Sequence, residues 1–141
     1  MLVRLLILQD AAPAAELCTQ LGYPSSPEQV ARRLGMLTLR SDQGLFGAEE
    51  AGRLVGWLHV QERLVLEAEP YAEVCSVVVG EGLRDSGVGS ELLARAEAWA
   101  QGRGLLEVQV RSNVVRERTH AFYEARGYRR TKTSHVFLKL L

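Results

Sequence analysis

This 141-residue sequence has only two cysteines, Cys18 and Cys75, and neither belongs to a C-x-x-C pair or a His/Cys cluster. That excludes a disulfide framework and leaves no ligand spacing for a structural zinc or other metal site. Net charge is missing too. Seventeen Lys and Arg against 17 Asp and Glu sum to zero, so no global field draws the chain to nucleic acid or an anionic membrane. Its apolar opening, Met1 to Leu8, is short, carries Arg4 and is followed by no cleavage-like site. It reads as neither a signal peptide nor a membrane span. Repeats, low-complexity tracts and linkers are absent. The expectation is a single domain, 1–141, in a reducing cytoplasm, long enough to build a core without metals or crosslinks.

Two phosphate-binding fingerprints are also absent. A dinucleotide site needs G-x-G-x-x-G, but Gly87-Val88-Gly89 is followed by Ser90-Glu91-Leu92, and no strand end nearby supplies a ribose-binding acid. The G-K-[ST] of a P-loop does not occur.

What is present is a strand, a glycine-containing turn and a helix start. Val77-Val78-Val79 reads as the end of a buried strand. Gly87 and Gly89 fall where a helix begins, and Val88, Leu92, Leu93, Ala96 and Trp99 or Ala100 mark its apolar face up to Gly102 and Gly104. The first N–H groups of a helix lack internal partners, and the macrodipole puts partial positive charge there, so such a turn suits an anion.

Around it the chain reads as alternating elements. Val3–Leu8 predicts a strand, and Asp10 a cap for a helix from Ala11 to Leu21 that stops at Gly22. Ser26, Pro27 and Gln29 form a capping-box pattern for a helix to about Leu34. Two strands, Gly44–Glu49 and Arg53 to His59 or slightly beyond, flank an Ala51-Gly52 turn. Within the second, Gly56 marks either a close backbone approach or a bulge. In Gln61–Ala72, Leu64–Leu66 extends a strand that Glu67–Pro70 breaks. Strands at Glu73–Val79 and Leu105–Arg111, joined by a helix, are expected to run parallel. A helix follows from Glu117 to Arg126, closed by Gly127, and one or two strands over Tyr128–Leu140.

The sequence Arg84-x-x-Gly87-x-Gly89 at this junction resembles the pyrophosphate-binding motif [QR]-x-x-G-x-[GA] of the GNAT-type, acetyl-CoA-dependent N-acetyltransferase superfamily. Two further features carry the resemblance: Arg111-Ser112-Asn113 at the fifth strand's end, and Ala121-Phe122-Tyr123-Glu124-Ala125-Arg126-Gly127-Tyr128, similar to the family's A-x-x-[FY]-Y-x-x-x-G-[FY] helix. The match is close from Glu73 to Tyr128. It implies an α/β fold with a mixed, mostly antiparallel sheet of six to seven strands, a parallel pair at the cofactor site and helices on both faces.

The resemblance also implies a site. Backbone groups of Val77, Val78 and Val79 would hold the pantetheine chain of acetyl-CoA, the cosubstrate. The N–H groups of Arg84, Asp85, Ser86, Gly87, Val88, Gly89 and Ser90 would cradle its pyrophosphate. Asn113 is the asparagine that often contacts the cofactor. The segment from Asn113 to Arg118 is longer than in many relatives, so Arg116 and His120 share that role. Tyr123 would protonate the leaving thiolate, or else is a half-buried aromatic of an amphipathic helix. Glu73 is the first choice of base for the incoming ammonium, with a surface ion-pair carboxylate as the competing reading; His59 and His120 are weaker candidates. Trp57 and Tyr71 either line the acceptor pocket or pack.

From Ser41 to Gly82 eight acids (Asp42, Glu49, Glu50, Glu62, Glu67, Glu69, Glu73, Glu81) meet two bases, Arg53 and Arg63. From Arg111 to Lys132 seven bases (Arg111, Arg116, Arg118, Arg126, Arg129, Arg130, Lys132) meet two acids. Either both are solvated surface, or an acidic wall receives a cationic small-molecule or peptide amine opposite a basic wall for phosphates. A nucleic-acid partner is not expected, because no binding motif accompanies the basic run. The alternative to an enzyme is a non-catalytic acyl-CoA-binding or sensing module, which would have no need of Tyr123. Many members of the superfamily are dimers, so a homodimer is one of the states left open.

Overall fold

The structure is a computed structural model that describes residues 1–112 and 117–141. The chain forms two compact units, Met1–Val110 and Arg111–Leu141.

The first unit is a five-stranded sheet in sequential order: β1 (Leu2–Leu5), β2 (Gln43–Glu50), β3 (Arg53–Val65), β4 (Ala68–Val79) and β5 (Val108–Val110). All neighbours are antiparallel except β4 and β5, which are parallel. Helices α1 (Ala11–Leu21) and α2 (Pro27–Leu37) lie between β1 and β2, and α3 (Val88–Gly102) between β4 and β5. A 15-residue helix is the crossover a parallel pair requires.

The two faces of the sheet are covered by different helices. A Cβ on Gly56 would sit 2.8 Å from the Val78 carbonyl oxygen and 3.2–3.3 Å from Val88 and Leu92 of α3. Glycine is therefore needed there for the close approach, and the neighbouring register shift leaves Val55 as the extra residue of a bulge. Alternation places Leu58 and Val60 on the same face, both fully buried, and Leu92, Leu93 and Ala96 of α3 are buried as well. On the opposite face Leu34 of α2 joins Leu6 and Leu45, with Leu37, Leu54 and Trp57 packed around them.

Local signals explain most boundaries. The Ser26 hydroxyl accepts from Gln29 N at 3.1 Å and the Gln29 side chain accepts from Ser26 N at 3.0 Å, completing the capping box. The β2–β3 turn carries positive φ at Ala51 (51°) and Gly52 (76°), the combination whose twist matches a hairpin. Asp10 does not cap α1 with its side chain. Its carboxylate instead accepts from Ile7 N at 2.8 Å and binds Arg4 at 2.8 and 3.0 Å, while Arg4 also reaches Glu49 at 3.1 Å. β1 accordingly ends at Leu5, short of the expected Leu8, and a 3-10 turn, Leu8–Asp10, follows.

Two strands are longer than their composition suggests. β3 runs to Val65 and β4 starts at Ala68, so Glu67-Ala68-Glu69-Pro70 does not break the hairpin. Pro70 falls inside a register shift between Arg63↔Tyr71 and Val65↔Ala68, where a missing N–H costs no ladder bond. β5, in contrast, is only three residues long.

In the second unit α4 (Glu117–Glu124) is followed by turns to Gly127, whose φ is +88°. The strands expected over Tyr128–Leu140 are not formed, and among the described residues the sheet has five strands, not six or seven. Val136, Phe137, Leu138 and Leu140 are at least 80% exposed. Their β propensity alone does not form a strand where no ladder partner is in place. Among the described residues no helix is long and apolar enough to cross a membrane.

Candidate functional site

β4 and β5 pair only at Ala72↔Val108, Glu73↔Gln109 and Val74↔Val110. Beyond Val74 the sheet opens, and among the described residues no strand pairs with Cys75–Val79 on the β5 side. On the β3 side the ladder continues through His59↔Ser76, Leu58↔Val77, Trp57↔Val78 and Gly56↔Val79. A register shift at His59/Val60 leaves Cys75 without a partner residue, a bulge on β4 at the point of opening. Val77, Val78 and Val79 thus lie along an edge whose outward backbone groups can pair with an extended ligand.

That edge runs into the turn before α3. Gly80 N donates to Val55 O at 2.8 Å, and the next bonds are Leu83 N to Gly80 O at 3.1 Å and Ser86 N to Leu83 O at 3.2 Å. The Ser86 hydroxyl also donates to Leu83 O. Positive φ recurs at Gly82 (81°), Asp85 (66°) and Gly87 (92°). Gly87 is the N-cap of α3 and, as a glycine, offers no side chain to cap it. The first helical bond runs from Glu91 N to Gly87 O at 3.1 Å, so the N–H groups of Val88 and Gly89 precede the intrahelical ladder. Arg84, Asp85, Ser86 and Gly87 are exposed, while Val88 is buried and anchors the helix start. A loop of this kind ahead of a helix N-terminus suits an anion.

Glu73 is the one buried acid of the eight counted between Ser41 and Gly82, at 5% exposure. It accepts from Gln61 Nε2 at 3.0 Å and lies 4.0 Å from Arg63 Nε. The competing reading as an ion-pair carboxylate keeps a partner in Arg63, but the acid itself is buried and not at the surface. His59 lies on the same face of β3, its Nε2 2.6 Å from Gln43 Oε1. Burial holds His59 below its usual range, with the Glu73 charge acting in the opposite direction. Burial, and then Glu73, push the Cys75 thiol up to about 11.

Trp57 packs against the Leu6–Leu34–Leu45 cluster, and Tyr71 is buried. The acidic run is partly neutralised by bases from elsewhere. Arg40 binds Asp42 at 3.0 Å, Arg4 binds Glu49 at 3.1 Å, and Arg103 binds Glu62 at 2.7 Å. Glu49 and Glu62 thus take partners 45 and 41 residues away in sequence.

In the second unit Tyr123 is the buried residue of α4, at 8% exposure, with its ring edge-on to Phe122 at 5.3 Å and Tyr128 at 6.0 Å. His120, one turn earlier, lines a shallow depression with Glu117, Ala121, Glu124 and Arg130. Asn113 and Arg116 lie outside the described residues.

Residues 8–128 match the Acetyltransferase (GNAT) family. The chain belongs to that family. Solved GNAT structures share its fold along nearly its whole length. The aminoglycoside 6'-N-acetyltransferase AAC(6')-IG from Acinetobacter haemolyticus superimposes with a TM-score of 0.85 at 20% identity, over 100% of this chain and 99% of that one. The aminoglycoside N-acetyltransferase AAC(6')-Iy, in complex with CoA, gives 0.86 at 16% identity, over 97% and 93%. A GNAT family acetyltransferase from Staphylococcus aureus gives 0.77 at 21%, over 99% and 98%. At these identities the likeness is one of fold. No curated protein matches the chain by sequence.

Gln61 and Gln43 were not singled out in the sequence. The available signal was the alternation Trp57-x-His59-x-Gln61-x-Arg63 against buried Leu58 and Val60, which marks one face of β3 as polar.

Proposed function

We propose that this GNAT chain, as one domain over 1–141, is an N-acetyltransferase that moves an acetyl group from acetyl-CoA to a primary amine by direct attack in a ternary complex. The observation that carries the reading is the opening of β4 from β5, with β4 leading into the glycine N-cap of α3. In this reading the Cys75–Val79 edge takes the pantetheine arm as an added strand would be taken, and the Arg84–Ser90 turn takes the pyrophosphate.

Glu73 is the base. It removes a proton from the acceptor ammonium, directly or through one water, and the neutral amine attacks the thioester carbonyl. The C–S bond then breaks, and the Tyr123 phenol gives its proton to the departing thiolate. A buried carboxylate beside the opening of β4 favours a cationic acceptor, small molecule or peptide, since the ammonium finds a counter-charge before it is deprotonated. An acyl-cysteine intermediate is disfavoured by the raised pKa of Cys75.

The test is Tyr123→Phe, followed by thiol release over a panel of cationic and neutral amines and by calorimetry with CoA. Turnover should fall about 10²–10⁴-fold, the usual range for a general acid, with CoA affinity unchanged. A chain that binds CoA but acetylates no amine would be an acyl-CoA-binding module instead.

A further inference from the structure

We infer that Gln61 is a positioning residue for Glu73, the last link of a directed amide chain that starts at His59 and passes through Gln43. The inference rests on the reading of Glu73 as the base.

Sheet register builds the chain. Gln43 pairs with Gln61, and Gln61 with Glu73, across β2, β3 and β4. Opposed residues share a face, and alternation puts this row on the side away from buried Val60. The amide groups then have one consistent orientation. Gln43 Nε2 lies 3.3 Å from both Asp42 Oδ1 and Gln61 Oε1, two acceptors, so both of its protons are committed. Its oxygen is thereby turned to His59 Nε2 at 2.6 Å. An amide oxygen can only accept, so His59 carries its proton on Nε2. The Gln61 oxygen faces Gln43, and its nitrogen therefore faces Glu73 Oε2 at 3.0 Å.

Every link donates toward the carboxylate. Reversing Gln61 alone would set oxygen against carboxylate oxygen and NH2 against NH2, two repulsive contacts in place of two bonds. The far end is anchored by Asp42, which Arg40 holds ionised by lowering its pKa to about 2. Aligned dipoles that end on an N–H favour the anionic form of their acceptor, and they strengthen one another where water is scarce. The carboxylate at 5% exposure thus receives a donor that favours its anionic form, with one oxygen held in place.

Charged and titratable groups near Glu73 include Arg63 at 4.0 Å and His59 on β3, Cys75 on β4, and Asp42 through Gln43. β5 contributes the neutral Gln109 opposite Glu73. Gln61→Met and Gln43→Met leave all of these charges in place.

The experiment titrates the Glu73 carboxyl by NMR in full-length protein carrying 13C-labelled glutamate, assigned with Glu73→Gln, and records kcat/KM against pH. Gln61→Met removes the donor at nearly constant volume. It should move the Glu73 titration upward by about one pH unit, as expected for loss of a hydrogen bond to a charged group. The acid limb of kcat/KM should follow it, and the high-pH plateau should stay within a few-fold of wild type. Gln43→Met, at a half-exposed strand position, frees the Gln61 amide to turn and should give a smaller shift of the same sign. Should Gln61→Met fail to fold, this second variant decides. An unchanged Glu73 titration in the variants overturns the inference whatever the activity. A shifted titration with an unmoved rate limb upholds the amide chain and overturns Glu73 as the base.

Discussion

Replacing Gly87 with alanine separates the conformation of the turn from its use in binding. Gly87 has φ +92° at the start of α3, and a Cβ there would meet nothing within 4 Å. The cost is therefore conformational and not steric, about 1–2 kcal/mol for an L-residue held left-handed. Gly104, in the turn after α3, has φ +76° and equally open surroundings, so Gly104→Ala carries the same strain at the other end of the helix. Each variant should lower Tm by about 3–6 °C in a chain of this length, read by differential scanning fluorimetry. Only Gly87→Ala should affect CoA. If the strained turn relaxes and one N–H to phosphate is lost, a charge-assisted bond of about 1.5–3 kcal/mol disappears, raising Kd roughly ten- to a hundred-fold by calorimetry. Equal CoA affinity in both variants would refute the anion cradle, leaving Gly87 as an ordinary turn glycine.

Further outcomes follow from the same geometry. Cys75→Ala should retain turnover within a few-fold, and Cys75 should alkylate slowly with iodoacetamide in the folded protein, because a thiol at about 11 in place of 9.0 carries roughly a hundredfold less thiolate. A loss of activity beyond a hundredfold would indicate an acyl-enzyme and defeat direct attack. Arg4 holds the Asp10 carboxyl below its usual range, so the folded state binds fewer protons there than the unfolded chain. That stability is complete above the unfolded carboxyl range and is lost as pH falls through the folded one. Asp10→Asn should consequently cost about 1–3 kcal/mol in urea melts at pH 7, with the gap to wild type closing in acid. Leu92→Ala, at a fully buried position of α3 against β3, should cost about 2–5 kcal/mol without altering the pH profile of any residual activity.

Local chemistry determined much of this protein from its sequence alone. The capping box at Ser26–Gln29, the left-handed glycines at 22, 52, 87 and 127, and the apolar stripe of α3 depend on neighbours within a few residues, and each is found where those neighbours predict it. The turn before α3 was legible for the same reason, since a helix N-terminus and its glycines form one contiguous stretch. Where partners are distant, sequence was silent or misleading. Pro70 reads as a strand breaker, yet a register shift with β3 accommodates it. Tyr128–Leu140 reads as one or two strands, yet among the described residues no ladder receives it. Asp10 reads as a helix cap, but Arg4 draws its carboxylate away. The burial of Glu73, and the alignment of Gln43 and Gln61 that orients it, arise only when three strands come into register. Side chains 18 and 12 residues apart become neighbours through backbone pairing, and no local pattern encodes that pairing.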